Sequence, residues 1–185
     1  RCGMTVISGG QIGADRAALD AAKAAGLRTG GYAPSQYWTE RGPDPSLESF
    51  GLVAGGSLAW RTERNVVTAD ATIVFAVRPS PGSDMTVAMA ARHGKACLVV
   101  NPWAPEAERE VRQFLDMSRP AVLNIAGHRE SRAPGIYARV YGLLVSVLTR
   151  PLWSASGSRH ARRPAGNTIT GARVNGGVRP ESPLS

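Results

Sequence analysis

The stretch Met4-Thr5-Val6-Ile7-Ser8-Gly9-Gly10-Gln11-Ile12-Gly13-Ala14-Asp15 decides the fold. Its β-branched start has the length of a short buried strand, and the glycine pair ends it. From Asp15 to Ala25 the period becomes helical, with Ala18, Leu19, Ala22 and Ala25 on one face and Gly26 in the place of a C-cap. A strand that runs through glycines into a helix is the first half of a βαβ unit.

The alternation continues downstream. Ala71 to Val77 reads as a second strand, Ser83 to His93 as a helix stopped by Gly94, and Ala96 to Val100 as a third strand. Pro105 to Met117 is a helix with a charged face, Ala121 to Ile125 a fourth strand, and Ala133 to Leu148 a closing helix. Strands separated by helices need crossover connections, so the sheet is mainly parallel and helices flank both of its faces. The expectation is an α/β, Rossmann-like three-layer domain over residues 1–149. Residues 32–62 break the rhythm with Pro, Gly and Trp and no clear period. A connection of that length suits a lid or a ligand wall, or an insertion without a role.

The net charge of +8 is unevenly spread. Residues 150–185 hold six arginines against one acid, Glu181, a net of +5 that leaves +3 for the first 149 residues. This tail is rich in Gly, Ser, Pro and Arg and lacks apolar periodicity. It cannot bury enough surface to offset its ordering entropy and reads as a flexible appendage. A nucleic-acid role would rest on the tail alone, where a solvated appendage is the favoured reading. The apolar runs have strand length and fall far short of a membrane span. Arg1-Cys2-Gly3-Met4 carries no secretory apolar region, and with no initiator methionine the chain reads as a fragment or a processed form. Cys2 and Cys97 have no His or Cys neighbour at metal-ligand spacing. Both read as reduced thiols of a cytoplasmic-type protein, Cys97 within a buried strand.

In an open parallel sheet, ligands sit beyond the carboxyl ends of the strands. Three loops there carry unusual chemistry. In the first, Gly9, Gly10 and Gly13 let the backbone turn sharply and approach a ligand. The helix that follows offers free N–H groups and a positive dipole end to an anion such as phosphate. Asp15 suits the N-cap of that helix. The spacing is not G-x-G-x-x-G, so nothing points to a nicotinamide cofactor. The second loop, Ser80-Pro81-Gly82-Ser83-Asp84-Met85-Thr86, repeats the geometry with hydroxyls added. Ser83 and Thr86 either donate to phosphate oxygens, or Ser83 merely caps the helix. The third, Gly127 to Gly135, brings Arg129 and Arg132, which either face the same anion or pair with Glu130. Ahead of the second strand, Arg61-Thr62-Glu63-Arg64-Asn65 reads as a solvated charged helix from which Arg61 or Asn65 could line a pocket.

Four ordered motifs combine these residues: Ser8-Gly9-Gly10-Gln11-x-Gly13-x-Asp15-Arg16-Ala17-Ala18-Leu19-Asp20, Arg61-Thr62-Glu63-x-Asn65-Val66, Gly82-Ser83-x-x-Thr86, and Asn124-x-Ala126-Gly127-x-Arg129-Glu130-Ser131-x-Ala133-Pro134-Gly135-Ile136. Together, over residues 4 to 148, they resemble the molybdenum cofactor carrier proteins. These belong to a wider superfamily of nucleotide-sensing and nucleotide-hydrolysing Rossmann-like domains, often labelled lysine decarboxylase-like. The resemblance implies a cytoplasmic homo-oligomer, commonly a tetramer. Such a protein binds the molybdopterin form of the cofactor non-covalently, shields it and passes it to molybdenum enzymes. It places Ser8, Gly9, Gly10, Gln11, Gly13, Gly82, Ser83 and Thr86 at the ligand, with Arg61, Asn65 and Arg129 as further candidates. Two departures stand out: Ile12 where many relatives have Thr, and Pro81-Gly82-Ser83 where they usually have Gly-Gly-Thr. The basic tail lies outside the family pattern.

The rival within the superfamily is a nucleoside-monophosphate phosphoribohydrolase, whose motif runs Pro-Gly-Gly-x-Gly-Thr-x-x-Glu. Laid on this chain from Pro81, it puts Met89 at the catalytic carboxylate. A thioether cannot serve as general acid or base, so a non-enzymatic carrier is the expected reading. A nucleotide or ADP-ribose-like sensor stays open, since glycine loops report phosphate and not the rest of the ligand.

Overall fold

β1 (Thr5–Ile7) leads through the glycine loop into α1 (Ala14–Ala24), and β2 (Arg28–Ala33) follows after a short turn. A small antiparallel hairpin of β3 (Trp38–Thr39) and β4 (Gly42–Pro43), flanked by two 3-10 turns, precedes β5 (Leu52–Ala54). The second half alternates regularly: α2 (Leu58–Thr68), β6 (Ala71–Phe75), α3 (Pro81–Arg92), β7 (Ala96–Val100), α4 (Ala107–Ser118), β8 (Val122–Gly127) and α5 (Ile136–Thr149). The structure, a computed structural model, describes residues 3–149; Cys2 and the tail of residues 150–185 lie outside them.

Six strands form one parallel sheet in the order β5-β2-β1-β8-β6-β7. α1, α4 and α5 pack on one face and α2 and α3 on the other, which makes the three-layer α/β architecture. From β1 the chain builds outward to β2 and β5, crosses through α2 to β6 and β7, and returns with β8 between β1 and β6. The order therefore reverses beside β1, and such a reversal opens a crevice at the carboxyl ends of the strands. Register keeps those ends level, with Ile7 opposite Asn124 and Phe75 opposite Gly127.

The larger core lies on the face of α1, α4 and α5. There α1 presents a fully buried row of small residues, Ala14, Ala17, Ala18, Ala21 and Ala22, to Ile136, Val140, Leu144 and Val147 of α5. The lack of bulk on α1 lets α5 pack directly against it. A second, smaller core joins Leu19 and Ala33 to Leu47, Phe50 and Leu52.

Besides the short hairpin, two strands of the six-stranded sheet escape the reading of the sequence. β2 has adjacent central glycines, Gly30 and Gly31, and β5 is three residues long, so neither alternates legibly. Residues 32–62 thus supply an edge strand, a hairpin, all of the smaller core except Leu19, and the first turn of α2. Cys97 is half-buried and not within a buried strand, because β7 is the outer strand of the sheet. Burial pushes its thiol up to about 11, which keeps it protonated at neutral pH. No helix among the described residues is long and apolar enough to cross a membrane.

The turn into α1 depends on Gly13. Its φ is +122°, and a Cβ there would lie 2.6 Å from the His128 carbonyl oxygen and 2.7 Å from the Glu130 amide nitrogen. Gly13→Ala should therefore destabilise the domain by about 2 kcal/mol. Thermal unfolding followed by circular dichroism should show Tm lower by roughly 5 °C; an unchanged Tm would mean that the loop yields freely.

Candidate functional site

A cavity of about 300 Å³ opens at the carboxyl ends of β1, β6 and β8 and is walled by α2 and the first turns of α3. This is the low end of the range for small-molecule sites. The fold brings eight of the expected residues to its lining: Gly9, Gln11, Arg61, Asn65, Gly82, Ser83, Thr86 and Arg129. Ser8, Gly10 and Gly13 are not among them. The Ser8 hydroxyl donates to the Ile125 carbonyl at 2.6 Å, tying β1 to β8. A Cβ on Gly10 would meet Leu47 and Leu52 of the smaller core, and one on Gly13 the loop after β8. These three shape the loop from behind.

The first loop differs from the expected phosphate cradle, because a carboxylate of the protein already occupies it. Asp15 does not cap α1; the N-cap position is Gly13, with no side-chain cap bond. The buried Asp15 instead accepts from the Gln11 amide at 3.3 Å and from Arg61 Nη1 at 3.1 Å. The Ala14 amide donates to the His128 carbonyl at 3.1 Å. Gly9 makes the ion pair possible: a Cβ there would fall 1.4 Å from Arg61 Nη1. Burial raises the pKa of Asp15, opposed by the Arg61 charge and the Gln11 and Gly127 amides. Arg61 thus leaves the outer face of α2, where a charged helix would be solvated, and crosses the cavity floor. Asn65 turns inward too, its Oδ1 accepting from the Tyr32 amide at 2.9 Å and its Nδ2 donating to the Tyr32 carbonyl at 3.0 Å.

The second loop forms the capped start of α3. Ser80 caps α3 and forms a reciprocal capping box with Ser83, whose hydroxyl accepts from the Ser80 amide at 3.0 Å. The Thr86 hydroxyl donates to the Gly82 carbonyl at 3.0 Å. Both hydroxyls are thereby engaged within the helix end. Pro81 has no N–H, so the Gly82 amide is the first-turn donor that faces outward at the positive end of α3.

In the third loop, Glu130 accepts from the amides of Gly135 and Tyr137 and pairs with neither neighbouring arginine. The guanidinium groups of Arg129 and Arg132, both on the cavity lining, make no ion pair or side-chain hydrogen bond among the described residues. Three arginines therefore face one acid, Asp15, around the cavity. The buried His128 lines it as well. Burial lowers the pKa of its ring, the Arg78 and Arg132 charges act the same way, and the Arg78 backbone opposes them.

Among the described residues, five buried side-chain atoms lack a hydrogen-bond partner: Gln11 Oε1, Arg61 Nε, Asn124 Oδ1 and both ring nitrogens of His128. All four residues line this cavity. A buried polar atom left without a partner costs about 1–3 kcal/mol. Their gathering around one cavity marks a place where a polar ligand or ordered water completes the structure. Among the described residues no group of His, Cys, Asp and Glu is arranged to hold a metal ion. Sequence reasoning missed Asp15, Asn124 and His128 as lining residues. Asn124 stood in the fourth motif without an assigned role, Asp15 carried the signal of a cap, and His128 gave none.

A model of the circularly permutated YpsA SLOG family matches residues 6–148. The chain belongs to this family. In this SLOG domain the matched span runs from β1 to the end of α5 and includes every lining residue of the cavity. The domain is also similar to the crystal structure named "Putative molybdenum carrier protein" from Syntrophus aciditrophicus SB. The TM-score is 0.72 at 33% identity, over 77% of this chain and 93% of that one. No curated protein matches the chain.

Gly9→Ala should break the Arg61–Asp15 pair and lower stability by about 3 kcal/mol, measurable by urea unfolding. The pH dependence tests Asp15 separately. A carboxyl with a raised folded pKa stabilises the fold below its unfolded value of 3.8, and this contribution is lost as pH rises through the folded pKa. The stability of the wild type relative to Asp15→Asn should therefore fall as pH rises above 3.8 towards neutrality. A difference independent of pH would return Asp15 to an ordinary carboxyl.

Proposed function

We propose that this protein binds molybdenum cofactor non-covalently, shields it and delivers it to molybdenum enzymes without transforming it. The observation that carries the reading is the single cavity whose wall gathers the unpartnered buried polar atoms and the two unpaired arginines. The terminal phosphate of the cargo suits the Gly82 amide with Arg129 and Arg132, a helix end and two guanidinium groups that favour an anion. The polar ring system suits the wall of Gln11, Asn124 and His128. The name of the similar Syntrophus structure supports the same cargo. With the reading comes a cytoplasmic homo-oligomer, commonly a tetramer, that meets recipient enzymes.

Carriage is favoured over catalysis by two observations. Met89, at the position of the hydrolase carboxylate, does not line the cavity. Asp15 is the one carboxylate on the lining, and its Oδ2 is engaged by Arg61 and Gln11. The second reading is a nucleotide sensor or phosphoribohydrolase of the same superfamily. It draws on the same phosphate-binding groups and on the raised pKa of Asp15.

Purified protein titrated with molybdenum cofactor in the presence of AMP should retain the cofactor through gel filtration at low-micromolar affinity. Arg129→Ala and Arg132→Ala should each weaken binding by about 1.5–3 kcal/mol, the worth of a charge-assisted contact. Displacement by AMP would move the protein to the nucleotide branch, and release of adenine from AMP would make it a hydrolase.

A further inference from the structure

The hairpin of β3 and β4 contributes no residue to the cavity lining, yet it is fastened to segments that do. Its two-residue turn, Glu40-Arg41, is set by Thr39, whose hydroxyl donates to the Gly42 carbonyl at 2.7 Å and accepts from the Arg41 amide at 3.2 Å. Gly42, at φ +99°, completes the turn. At the base, the Trp38 carbonyl accepts from Gln11 Nε2 at 3.0 Å. Asp44, just beyond β4, pairs with Arg16 of α1 at 2.9 Å. At the tip, Glu40 reaches the loop after β8. One of its carboxylate oxygens accepts from the Ser131 amide at 3.3 Å, and the other from the Ser131 hydroxyl.

Ser131 stands between Arg129 and Arg132. The other anchors of this loop lie mainly at its two ends. On the near side the Glu130 amide donates to the Ile12 carbonyl at 2.9 Å, and Arg129 forms a bridge with Gly13. On the far side the Glu130 carboxylate holds the amides of Gly135 and Tyr137. Arg78 adds a contact to the Arg132 carbonyl at 3.4 Å. Glu40 is half-buried and shares a second, smaller cavity with Arg41 and Arg129, yet it makes no ion pair with either. Arg129 lines both cavities. The carboxylate is thus given to the loop backbone and the serine, not to an arginine. Arginine side chains are long and rotatable, and a fixed backbone beneath them lowers the ordering cost of gripping an anion.

We infer that Glu40 is a positioning residue: bound to Ser131, it holds the loop in the shape in which Arg129 and Arg132 grip an anion together. The inference rests on the proposed reading of these two arginines as anion-binding residues. It adds that their grip is set from outside the cavity, by the tip of the hairpin. Charge alone predicts the opposite sign. A carboxylate beside Arg129 repels an incoming anion, so its removal would tighten binding.

The experiment is calorimetric titration of the full chain with inorganic pyrophosphate and with AMP, two probes that have only phosphate in common. Glu40→Ala and Ser131→Ala should each weaken both probes by about threefold to tenfold, less than the loss of a direct charged contact. Ser131→Ala leaves the Glu40 charge in place, so a loss there is not electrostatic. In an Arg129→Ala background, Glu40→Ala should cost clearly less than in the wild type, because half of what it positions is gone. Deuterium exchange at residues 128–135 should quicken in Glu40→Ala without any ligand, and melting curves establish that each variant is folded. Three outcomes would overturn the inference and leave the anion site in place: unchanged or tighter binding in folded Glu40→Ala, unaltered exchange of the loop, or an equal loss in the Arg129→Ala background. A wild type that binds neither probe at millimolar concentration would overturn the anion site and the inference with it.

Discussion

The arrangement of the cavity depends on one ion pair, Arg61 with Asp15 at 3.1 Å. It joins α2 to the first turn of α1 across the carboxyl end of the sheet, and it passes where any side chain on residue 9 would stand. The pair fills the anion-binding end of α1 with a charge of the protein's own. In the proposed reading, a ligand phosphate is thereby left with α3 and the arginines after β8. One glycine without a side chain, one buried carboxylate and one arginine thus make two similar helix starts chemically different.

The cavity gathers more than one kind of chemistry. The lining combines cations and a helix amide with the carboxamides of Gln11 and Asn124 and the imidazole of His128. Hydrogen-bonding groups already held in place favour binding, because little ordering remains to be done when the ligand enters.

The parallel sheet and its flanking helices were legible because each strand with an apolar run and each helix with a clear period advertises itself. β6, with all five residues buried, is the plainest case. β2 was illegible for the opposite reason: Gly30 and Gly31 erase the alternation. The loops were legible as loops, but not the direction of their contents. Gly9, Gly10 and Gly13 look alike in sequence, yet one clears a path for Arg61, one faces Leu47 and Leu52, and one presses against the loop after β8. Asp15 follows the glycine loop as a capping residue would, and only the position of α2 explains why it pairs with Arg61 instead. Buried atoms without partners leave no trace in a sequence, so Asn124 and His128 emerged from the folded structure.

The two apolar clusters differ in how a substitution within them would spread. The alanine row of α1 and the branched residues of α5 meet with no spare volume, and α5 carries at its start the loop that holds Arg129 and Arg132. A change of side-chain volume in that helix pair would shift the start of α5 and the loop before it. The smaller cluster of Leu19, Ala33, Leu47, Phe50 and Leu52 lies under the irregular residues between β2 and β5. Loops there can lengthen, shorten or repack while the crossover geometry stays as it is. The two sides thus differ in what they hold in place: the α1–α5 pair supports the loop of Arg129 and Arg132, and the smaller cluster supports the hairpin whose Trp38 carbonyl accepts from Gln11.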